Sequence, residues 1–303
     1  MTTMKRNSNG LLILALLCFC FNSSASLKIA SYNIRTFDSK RSPTDKVELK
    51  KILTNLKAHL ISVQEIVNAG SFKSFVKREL PQYDYYIGSC GGNGGQKLGF
   101  LYLKDQFKIE NIYEDHRLGH IKGISQSKKC GSLRSALVGI FTHLKTNQKL
   151  VVLGVHLKAG SSSQNIRRRA RQYRVVTDMV DEFKKRRFKN IIILGDFNTT
   201  GYISRDFDYD NFQKMLVNTS MLSSSENLEC SAYWMGKNRT DDIEEPSMLD
   251  HIIHSSSLLG LSKKKVAIYS HCKRVLCRIE KKASLGRSYL NVSDHCPVSI
   301  TFD

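Results

Sequence analysis

The stretch IIILGDFN, residues 191 to 198, joins an apolar run directly to polar side chains. The run from Ile191 to Leu194 is typical of a strand that is buried on both faces. Asp196 and Asn198 lie two residues apart, so in an extended chain their side chains point to the same side. Gly, Asp and Asn also form turns. This stretch alone leaves a turn and an active site as alternatives.

Strand and helix signals alternate along the rest of the chain, and this order predicts an α/β layered domain. LKIASYNI (27–34) and LISVQE (60–65) are strand patterns on either side of a helical spacing of apolar residues. SLRSALVGIFTHL (132–144) and KLVVLGVHL (149–157) predict a hairpin of central strands. Because strand, helix and strand recur in both halves, an internal structural repeat is indicated. No GxGxxG pattern follows the first strand, so dinucleotide binding is not indicated.

The first 25 residues have the layout of a secretory signal peptide. Lys5 and Arg6 precede an apolar run from Leu11 to Phe21, and small polar residues then lead to a cleavage position near Ser26. The apolar run is too short to span a bilayer comfortably. We therefore expect a signal peptide at 1–25 and a single domain at 26–303. The mature protein should be secreted or periplasmic, monomeric and without stable membrane insertion.

The charge balance is strongly basic. The chain carries 47 Lys and Arg against 27 Asp and Glu, a formal net charge of +20. Loss of Lys5 and Arg6 with the signal peptide leaves 45 against 27, a balance of +18. Such an excess favours a polyanionic partner, namely nucleic acid, an anionic membrane surface or an acidic polysaccharide. A role in solubility alone is the alternative.

The cysteine count predicts disulfides. Two of the eight cysteines lie in the signal peptide, and an even number in an exported chain predicts at least one bridge. The close pair Cys272 and Cys277 is the first choice. A structural zinc site is not expected, because no CxxC pair or Cys/His cluster has zinc spacing. The six remaining cysteines are Cys90, Cys130, Cys230, Cys272, Cys277 and Cys296.

Polar groups stand at the ends of the most hydrophobic strands. Each residue alone is explained by an ordinary structural role, as a turn former or as a histidine whose hydrogen bonds are made within the protein. Together they form a set of carboxylates, carboxamides and imidazoles. Hard oxygen ligands favour Mg²⁺ or Mn²⁺ over zinc. Cleavage of a phosphodiester needs a cation, a base for water and an acid for the leaving oxygen. The residues are Asn33, Glu65, His156, Asp196, Asn198, Asp250, Asp294 and His295.

Six motifs, in this order, resemble the endonuclease/exonuclease/phosphatase superfamily that deoxyribonuclease I typifies. They are SYNI (31–34), VQE (63–65), GVHLKAG (154–160), GDFN (195–198), LDHI (249–252) and SDHCPV (293–298). The resemblance covers nearly the whole mature chain and is closest to bacterial secreted members. It implies a four-layer α/β sandwich, in which two packed mixed β-sheets are flanked by helices and the active site lies at one edge. It also implies Mg²⁺ as cofactor, with Mn²⁺ or Ca²⁺ as alternatives.

The resemblance implies roles for the metal and water side of the site. Glu65 resembles the main metal ligand, with Asn33 beside it. Asp294 resembles a carboxylate next to the metal. Asp196 resembles the carboxylate that orients the attacking water.

The resemblance also implies which residues contact phosphate. Asn198 resembles a phosphate contact, and His156 resembles the imidazole that acts on the phosphate as acid or charge stabiliser. His295, paired with Asp250, resembles the second imidazole. Arg134 stands where deoxyribonuclease-like members carry a phosphate-binding arginine, with a strand-edge charge as the alternative.

A basic helix is predicted soon after His156, over residues 165–187. Its arginines would track phosphates along a duplex, or else form an ordinary solvated helix face. The arginines expected to bind substrate phosphate are Arg167, Arg168, Arg169 and Arg171.

The function expected is that of a secreted, Mg²⁺-dependent phosphodiesterase, an endonuclease of low sequence specificity that cleaves DNA and, as an alternative, RNA. A sphingomyelinase-like or phosphoinositide phosphoesterase is the main competing reading. It would need an exposed aromatic or apolar hairpin to enter a membrane. The sequence indicates none, because Trp234 lies in a polar stretch. A non-catalytic polyanion-binding protein is disfavoured, since every expected catalytic position is present.

Overall fold

The structure is a computed structural model that describes residues 26–120, 129–236, 240–256, 258–259 and 264–303. The signal peptide expected at residues 1–25 lies outside the described residues. In the part of the chain that is described, no helix has the length and apolar character needed to cross a bilayer.

The described residues form two six-stranded mixed sheets at the centre of the molecule and one small three-stranded sheet. The first sheet has the strand order β13-β15-β1-β2-β4-β3, the second β5-β6-β7-β8-β12-β9, and the small sheet β10-β11-β14. The strands are β1 (Leu27–Asn33), β2 (Leu60–Ile66), β3 (Tyr83–Ile87), β4 (Lys97–Leu103), β5 (Phe107–Asp115), β6 (Ala136–His143), β7 (Gln148–His156), β8 (Ile191–Asp196), β9 (Leu222–Ser223), β10 (Ala232–Trp234), β11 (Ile243–Ser247), β12 (Asp250–His254), β13 (Lys264–Ile268), β14 (Glu280–Lys281) and β15 (Val298–Phe302).

Helices cover the outer faces of both large sheets, and the four longer ones, α1 to α4, each begin at a side-chain cap. The side chain of Asp45 accepts a hydrogen bond from the backbone of Glu48 at the start of α1, and Ser162 caps α3 through Asn165 in the same way. Such caps satisfy the unpaired backbone N–H groups of the first turn. The helices are α1 (Lys46–Leu56), α2 (Ala69–Glu79), α3 (Ser163–Lys185), α4 (Phe207–Thr219), α5 (Ser270–Val275) and α6 (Gly286–Asn291).

The apolar run before Asp196 is explained by its place between layers. Ile191 and Ile193 belong to the core under α3 and α4. Ile192 and Leu194 point the other way and pack against the first sheet. Because both faces of β8 are covered, every position of the run must be apolar. The result is the four-layer sandwich with two packed mixed sheets that the sequence predicted, so the fold prediction is confirmed.

Each large sheet contains one parallel pair of strands joined by a helix. β1 and β2 pair in parallel across α1, and β7 and β8 pair in parallel across α3. β12 runs antiparallel to β8, with Asp250 opposite Asp196 in the register. The carboxyl ends of the parallel strands and the amino end of β12 therefore meet at one edge of the molecule. The recurring β–α–β unit is the internal repeat that the sequence indicated.

The described residues contain three disulfides, and none is the pair expected from the sequence. Cys90 bonds Cys130, Cys230 bonds Cys277, and Cys272 bonds Cys296. The prediction of disulfides is confirmed, but the Cys272–Cys277 pairing is wrong. The two cysteines are separated by the end of α5, and each bonds instead to a segment that is adjacent in space and distant in sequence.

Candidate active site

The carboxyl ends of β1, β2 and β8 bring three polar side chains into contact. The Asn33 side-chain N–H group donates to Glu65 Oε1 at 3.1 Å and to Asp196 Oδ2 at 3.0 Å. Asn33 and Asp196 are buried, with 0% and 1% of their surface exposed. A carboxamide between two carboxylates holds them close together at the edge where the strands end.

Local backbone geometry points Glu65 toward this edge. The pairing of β2 with β4 shifts register between Val63 and Ile66, which is a bulge in the strand. Glu65 lies in the bulge with φ at 67°, in the left-handed region that non-glycine residues rarely adopt. The backbone N–H of Thr36 donates to Glu65 Oε2 at 2.8 Å and fixes the carboxylate. Bulges of this kind redirect side chains next to functional sites.

His156, the last residue of β7, faces the same carboxylates. Its Nε2 atom lies 3.3 Å from Asp196 Oδ2 and 3.8 Å from Glu65 Oε1. Burial lowers the pKa of His156 well below its ordinary value, and the positive charges of Arg134 and His295 lower it further. We therefore describe His156 as a neutral imidazole at neutral pH. Its buried Nδ1 atom has no hydrogen-bond partner.

His295 forms a pair with Asp250. The His295 Nδ1 atom lies 2.7 Å from Asp250 Oδ2, and its Nε2 atom lies 3.7 Å from Asp196 Oδ2. Burial alone would lower the pKa of His295, but the charges of Asp250 and Asp196 and the hydrogen bond to Asp250 raise it well above the ordinary value. The Ser231 hydroxyl donates to Asp250 Oδ2 at 2.8 Å and completes the chain of hydrogen bonds. His295 is therefore a charged imidazolium that is held in a fixed orientation.

Asp196 is the residue on which the others converge, and its charge is poorly compensated. Burial raises its pKa to about 7, and the neighbouring carboxylates Asp250 and Glu65 add to the rise, while His295 and Asn33 oppose it. A carboxyl group that titrates near neutral pH is suited to accept a proton from water.

Arg134 and Asn198 lie at the rim beside the carbonyl of Leu157. The Arg134 guanidinium donates to this carbonyl through Nη2, and Asn198 donates to it through Nδ2 at 3.4 Å. Arg134 Nε is buried and has no hydrogen-bond partner. Burial lowers the pKa of Arg134, which the charges of Asp196 and Glu65 partly restore. The structure thus places both residues beside the candidate site, and their role as phosphate contacts stays a prediction.

The donor set fits a divalent cation. Two groups of three possible ligands have their ligand atoms within 4.8 Å of one another, and both groups include Asp196. Burial raises the pKa of Asp196, and the nearby charges of Asp250 and Glu65 raise it further; a bound cation would offset this crowding of carboxylates. A third group among the described residues joins α5 to the segment before β15 and includes Cys272 and Cys296, whose sulfur atoms are joined in a disulfide. The first two groups are Glu65, His156 and Asp196, and Asp196, Asp250 and His295.

Two predicted site residues do not join this arrangement. Asp294, expected next to the metal, belongs to neither group around Asp196 and instead lines a neighbouring cavity. Arg169, expected to bind substrate phosphate, has no exposed surface. Its guanidinium donates to Asp208 at 2.6 Å and to the carbonyls of Lys158 and Gly160. The phosphate-binding prediction for Arg169 is wrong, because one face of a basic helix must turn inward.

The other predicted arginines lie near the beginning of α3. Arg167 and Arg171 are exposed and Arg168 is half-buried. The charge of Arg168 is close enough to Lys158, two residues after His156, to contribute to a lowered Lys158 pKa, which burial lowers most. The N-terminal end of α3 therefore lies next to the loop that follows His156.

Sequence reasoning missed Ser231, which orients Asp250. A serine next to a cysteine in a polar stretch carries no signal of such a role. Its position becomes apparent only through the bridge that pairs Ala232 with His295.

Comparison with solved structures finds the same fold at low sequence identity. TDP2 from D. rerio, in complex with a single-stranded DNA product, is 18% identical with a TM-score of 0.63, over 92% of this chain and 99% of that one. An endonuclease/exonuclease/phosphatase family protein from Bacteroides thetaiotaomicron is 20% identical with a TM-score of 0.60, over 91% and 97%. The human Nocturnin catalytic domain, with a bound sulfate anion, is 14% identical with a TM-score of 0.60, over 92% and 94%. No family model and no curated protein matches the sequence. The chain therefore has the fold of the endonuclease/exonuclease/phosphatase superfamily.

Proposed function

We propose that this protein is a secreted, metal-dependent phosphodiesterase that cleaves DNA as an endonuclease of low sequence specificity. The observation that carries the proposal is the convergence of Asn33, His156 and His295 on one carboxylate oxygen, Asp196 Oδ2. A potential base, a charged imidazolium and a neutral imidazole are thus gathered within reach of one phosphate. Phosphodiester hydrolysis requires groups of these kinds.

Glu65 and Asn33, at the ends of β2 and β1, are the residues that would hold Mg²⁺, with Mn²⁺ or Ca²⁺ as alternatives. Bound there, the cation would offset the negative charge of the phosphate. Oxygen ligands without thiolates suit these hard cations. The Glu65 carboxylate is already fixed by the backbone of Thr36, so the ligand is preorganised.

Asp196 and His295 are the residues that transfer protons in the proposed reaction. Asp196 takes a proton from the attacking water as the new P–O bond forms. The charged His295, oriented by Asp250, gives its Nε2 proton to the leaving oxygen as the old P–O bond breaks. His156, neutral because it is buried, donates a hydrogen bond to a phosphate oxygen together with Arg134 and Asn198.

Two observations support DNA as the proposed substrate: the positive net charge of the protein and its similarity in fold to proteins solved with DNA or an anion. The balance of +18 expected for the mature protein, 45 Lys and Arg against 27 Asp and Glu, favours a polyanion. Among the proteins of the same fold, TDP2 was solved with a single-stranded DNA product and Nocturnin with sulfate. RNA shares the same phosphodiester chemistry and is the alternative nucleic acid.

A lipid phosphodiester is the second candidate, and one observation favours it. Trp234 and Met235, at the edge of the small sheet, keep 44% and 46% of their surface exposed. They form an exposed aromatic and apolar edge of the kind that the sequence did not indicate. Such an edge would suit contact with a membrane surface.

The deciding experiment compares substrates under matched conditions. Mature protein with Mg²⁺ is assayed on supercoiled plasmid, on sphingomyelin vesicles, on a phosphoinositide and on bis(p-nitrophenyl) phosphate. We expect nicking of plasmid that EDTA abolishes, and an His295→Asn variant that loses it. Intact plasmid together with cleaved lipid would replace the nuclease by the second candidate. If the wild-type protein cleaves none of the four substrates, phosphodiesterase function is refuted.

A further inference from the structure

The peptide group that joins Leu157 to Lys158 connects the candidate active site to the inner face of α3. It follows His156 directly, in an irregular loop between β7 and α3. Its carbonyl oxygen accepts hydrogen bonds from the side chains of Arg134 and Asn198. Because a trans peptide group is planar, its N–H points to the side opposite this oxygen. The partner of the N–H therefore influences where the carbonyl points.

Gln172, on the inner face of α3, is the partner of this N–H. Its Oε1 atom accepts a hydrogen bond from the Lys158 backbone N–H at 2.9 Å. Its Nε2 atom donates to the Leu118 carbonyl at 3.0 Å. Gln172 keeps only 3% of its surface exposed, and both ends of its amide are bonded to backbone. A buried amide with both ends satisfied is held in one orientation.

Other contacts hold the loop at different points. The Leu157 backbone N–H donates to the Asp196 carbonyl at 2.9 Å and continues the pairing of β7 with β8. Arg169 donates to two carbonyls further along the loop. Among the described residues, Gln172 is the one that accepts from the N–H of the Leu157–Lys158 peptide. Its contact is therefore distinct from the general support that Arg169 gives to the loop.

We infer that Gln172 is a positioning residue for phosphate binding. It orients the Leu157–Lys158 peptide, and the carbonyl of this peptide holds the Arg134 guanidinium and the Asn198 carboxamide beside the candidate site. The inference rests on the proposed function and deepens it, because α3 then has a part in the reaction that involves no contact with DNA. Without the Gln172 acceptor the peptide is free to turn, and the two side chains lose their shared anchor.

Removal of the acceptor tests this role in the intact protein. Gln172→Met keeps an unbranched side chain but cannot hold the Lys158 N–H. We expect kcat/KM for bis(p-nitrophenyl) phosphate to fall about tenfold, the size of one lost hydrogen bond to a charged group. If this variant does not fold, Gln172→Asn carries the test, because its amide is one methylene shorter and does not reach both backbone partners. Unchanged kcat/KM would overturn the inference.

A double-mutant cycle shows whether Gln172 acts through Arg134. Effects of residues that act through one another are not additive. In an Arg134→Ala background, Gln172→Met should therefore lower kcat/KM by less than about threefold, because the guanidinium that it positions is already absent. The same tenfold loss in both backgrounds would overturn the inference.

Asn190 provides a matched control. It is also a buried carboxamide that joins two backbone groups: it donates to the Lys149 carbonyl at 3.0 Å and accepts from the Leu259 N–H at 2.6 Å. It precedes β8, roughly 20 Å from Asp196 at about 3.3 Å per residue. Asn190→Leu should lower Tm as Gln172→Met does, yet leave kcat/KM nearly unchanged. Equal losses of activity would indicate a general effect of lower stability and would overturn the inference.

A measurement without substrate separates this inference from the proposed function. In protein with ¹⁵N-labelled arginine, the Arg134 Nε signal should shift or broaden in Gln172→Met, because the guanidinium loses its anchor. It should stay in place in Asn190→Leu. If the wild type hydrolyses no phosphodiester, the proposed function fails, whereas a shifted Arg134 signal still supports its positioning by Gln172. An unchanged signal in Gln172→Met would overturn the positioning role whatever the activity of the wild type.

Discussion

His156 and His295 carry different charges because their surroundings differ, and this difference can be tested one residue at a time. His295 is charged through Asp250, whereas His156 is buried near Arg134 and stays neutral. We expect His156→Ala and His295→Ala each to lower kcat about 10²–10⁴-fold, the usual contribution of an acid–base group.

The control for both variants is His59→Ala, which removes an imidazole just before β2, at the end of that strand away from Glu65. It should keep nearly full activity. Circular dichroism should show that all three variants are folded. Near-normal activity of His295→Ala would remove this residue from the reaction.

The charge of Asp196 should make the metal-free protein less stable than its amide variant. The folded-state pKa of about 7 lies above the ordinary pKa of 3.8 for an aspartate, so the stability that Asp196 contributes is lost as pH rises through this window. We expect Asp196→Asn to have a higher Tm than wild type in EDTA, with a gap that grows from pH 4 to pH 7.5. Mg²⁺ should raise the Tm of wild type and have little effect on Asp196→Asn. A Tm gap that is independent of pH would contradict this account.

The arginines of helix α3 have two different expected roles: those near the active site bind DNA, and the buried Arg169 stabilises the fold. Arg167, Arg168 and Arg171 lie near the loop that leaves the site, and we expect their replacement by Gln to raise KM for long duplex DNA and flatten its salt dependence. Bis(p-nitrophenyl) phosphate is too small to reach them, so its hydrolysis should barely change. Equal losses on both substrates would mean that the helix supports the loop after His156 and does not bind DNA.

The matched control removes three charges from the other end of the helix. Lys185, Arg187 and Lys189 are exposed. Lys185 is the last residue of α3 and lies about 25 Å along the helix from Arg168, at about 1.5 Å per residue, and the other two follow it directly. Their replacement by Gln lowers the net charge equally. If both triple variants change KM alike, the effect comes from total charge and not from a DNA track.

Arg169, on the inward face of α3, should affect stability. It and Asp208 are both fully buried, and they form a bidentate ion pair. Removal of one partner leaves a buried charge uncompensated, which costs about 3–5 kcal/mol. We therefore expect Arg169→Gln to lower the free energy of unfolding in urea by this amount, whereas Arg167→Gln should change it by less than about 0.5 kcal/mol. Equal effects of the two variants would contradict the buried pair.

For the whole molecule, the sequence was sufficient for the architecture because the architecture depends on local patterns. The fully apolar run of β8 indicated a strand covered on both faces, and apolar spacing indicated α1. Strand ends that carry Asp196, Asn198 and His156 indicated a shared edge. Each of these signals lies within a short segment, so it can be recognised in the sequence without knowledge of contacts between distant residues.

Features that depend on distant pairing could not be predicted in this way. The Cys272–Cys296 bond depends on how α5 meets the segment before β15. The side of α3 that carries Arg169 is set by Asp208 of α4. Asp294 follows a strand-end pattern, yet its carboxylate lines another cavity. Each of these outcomes is decided by tertiary packing, which periodicity does not encode.

The disulfides have a consequence for when the protein can act. Cys230 precedes Ser231 and Cys296 follows His295, and disulfides tie both segments to Cys272 and Cys277 at α5. We therefore expect the alignment of the Asp250–His295 pair to depend on oxidised thiols. A protein exported as we propose would remain latent in the reducing cytosol of the cell that makes it, and the nucleic acids of that cell would be spared until an oxidising compartment closes the bonds.

This latency predicts a specific redox response. Cys272→Ser with Cys296→Ser should lower kcat far more than Cys90→Ser with Cys130→Ser, although each pair removes one disulfide. Assays of refolded protein across a series of glutathione redox buffers should show activity that follows closure of the Cys272–Cys296 bond. Full activity with all thiols free would show that the dyad is aligned without covalent help. If activity instead follows closure of the bond, thiol oxidation determines when the protein becomes able to cleave DNA.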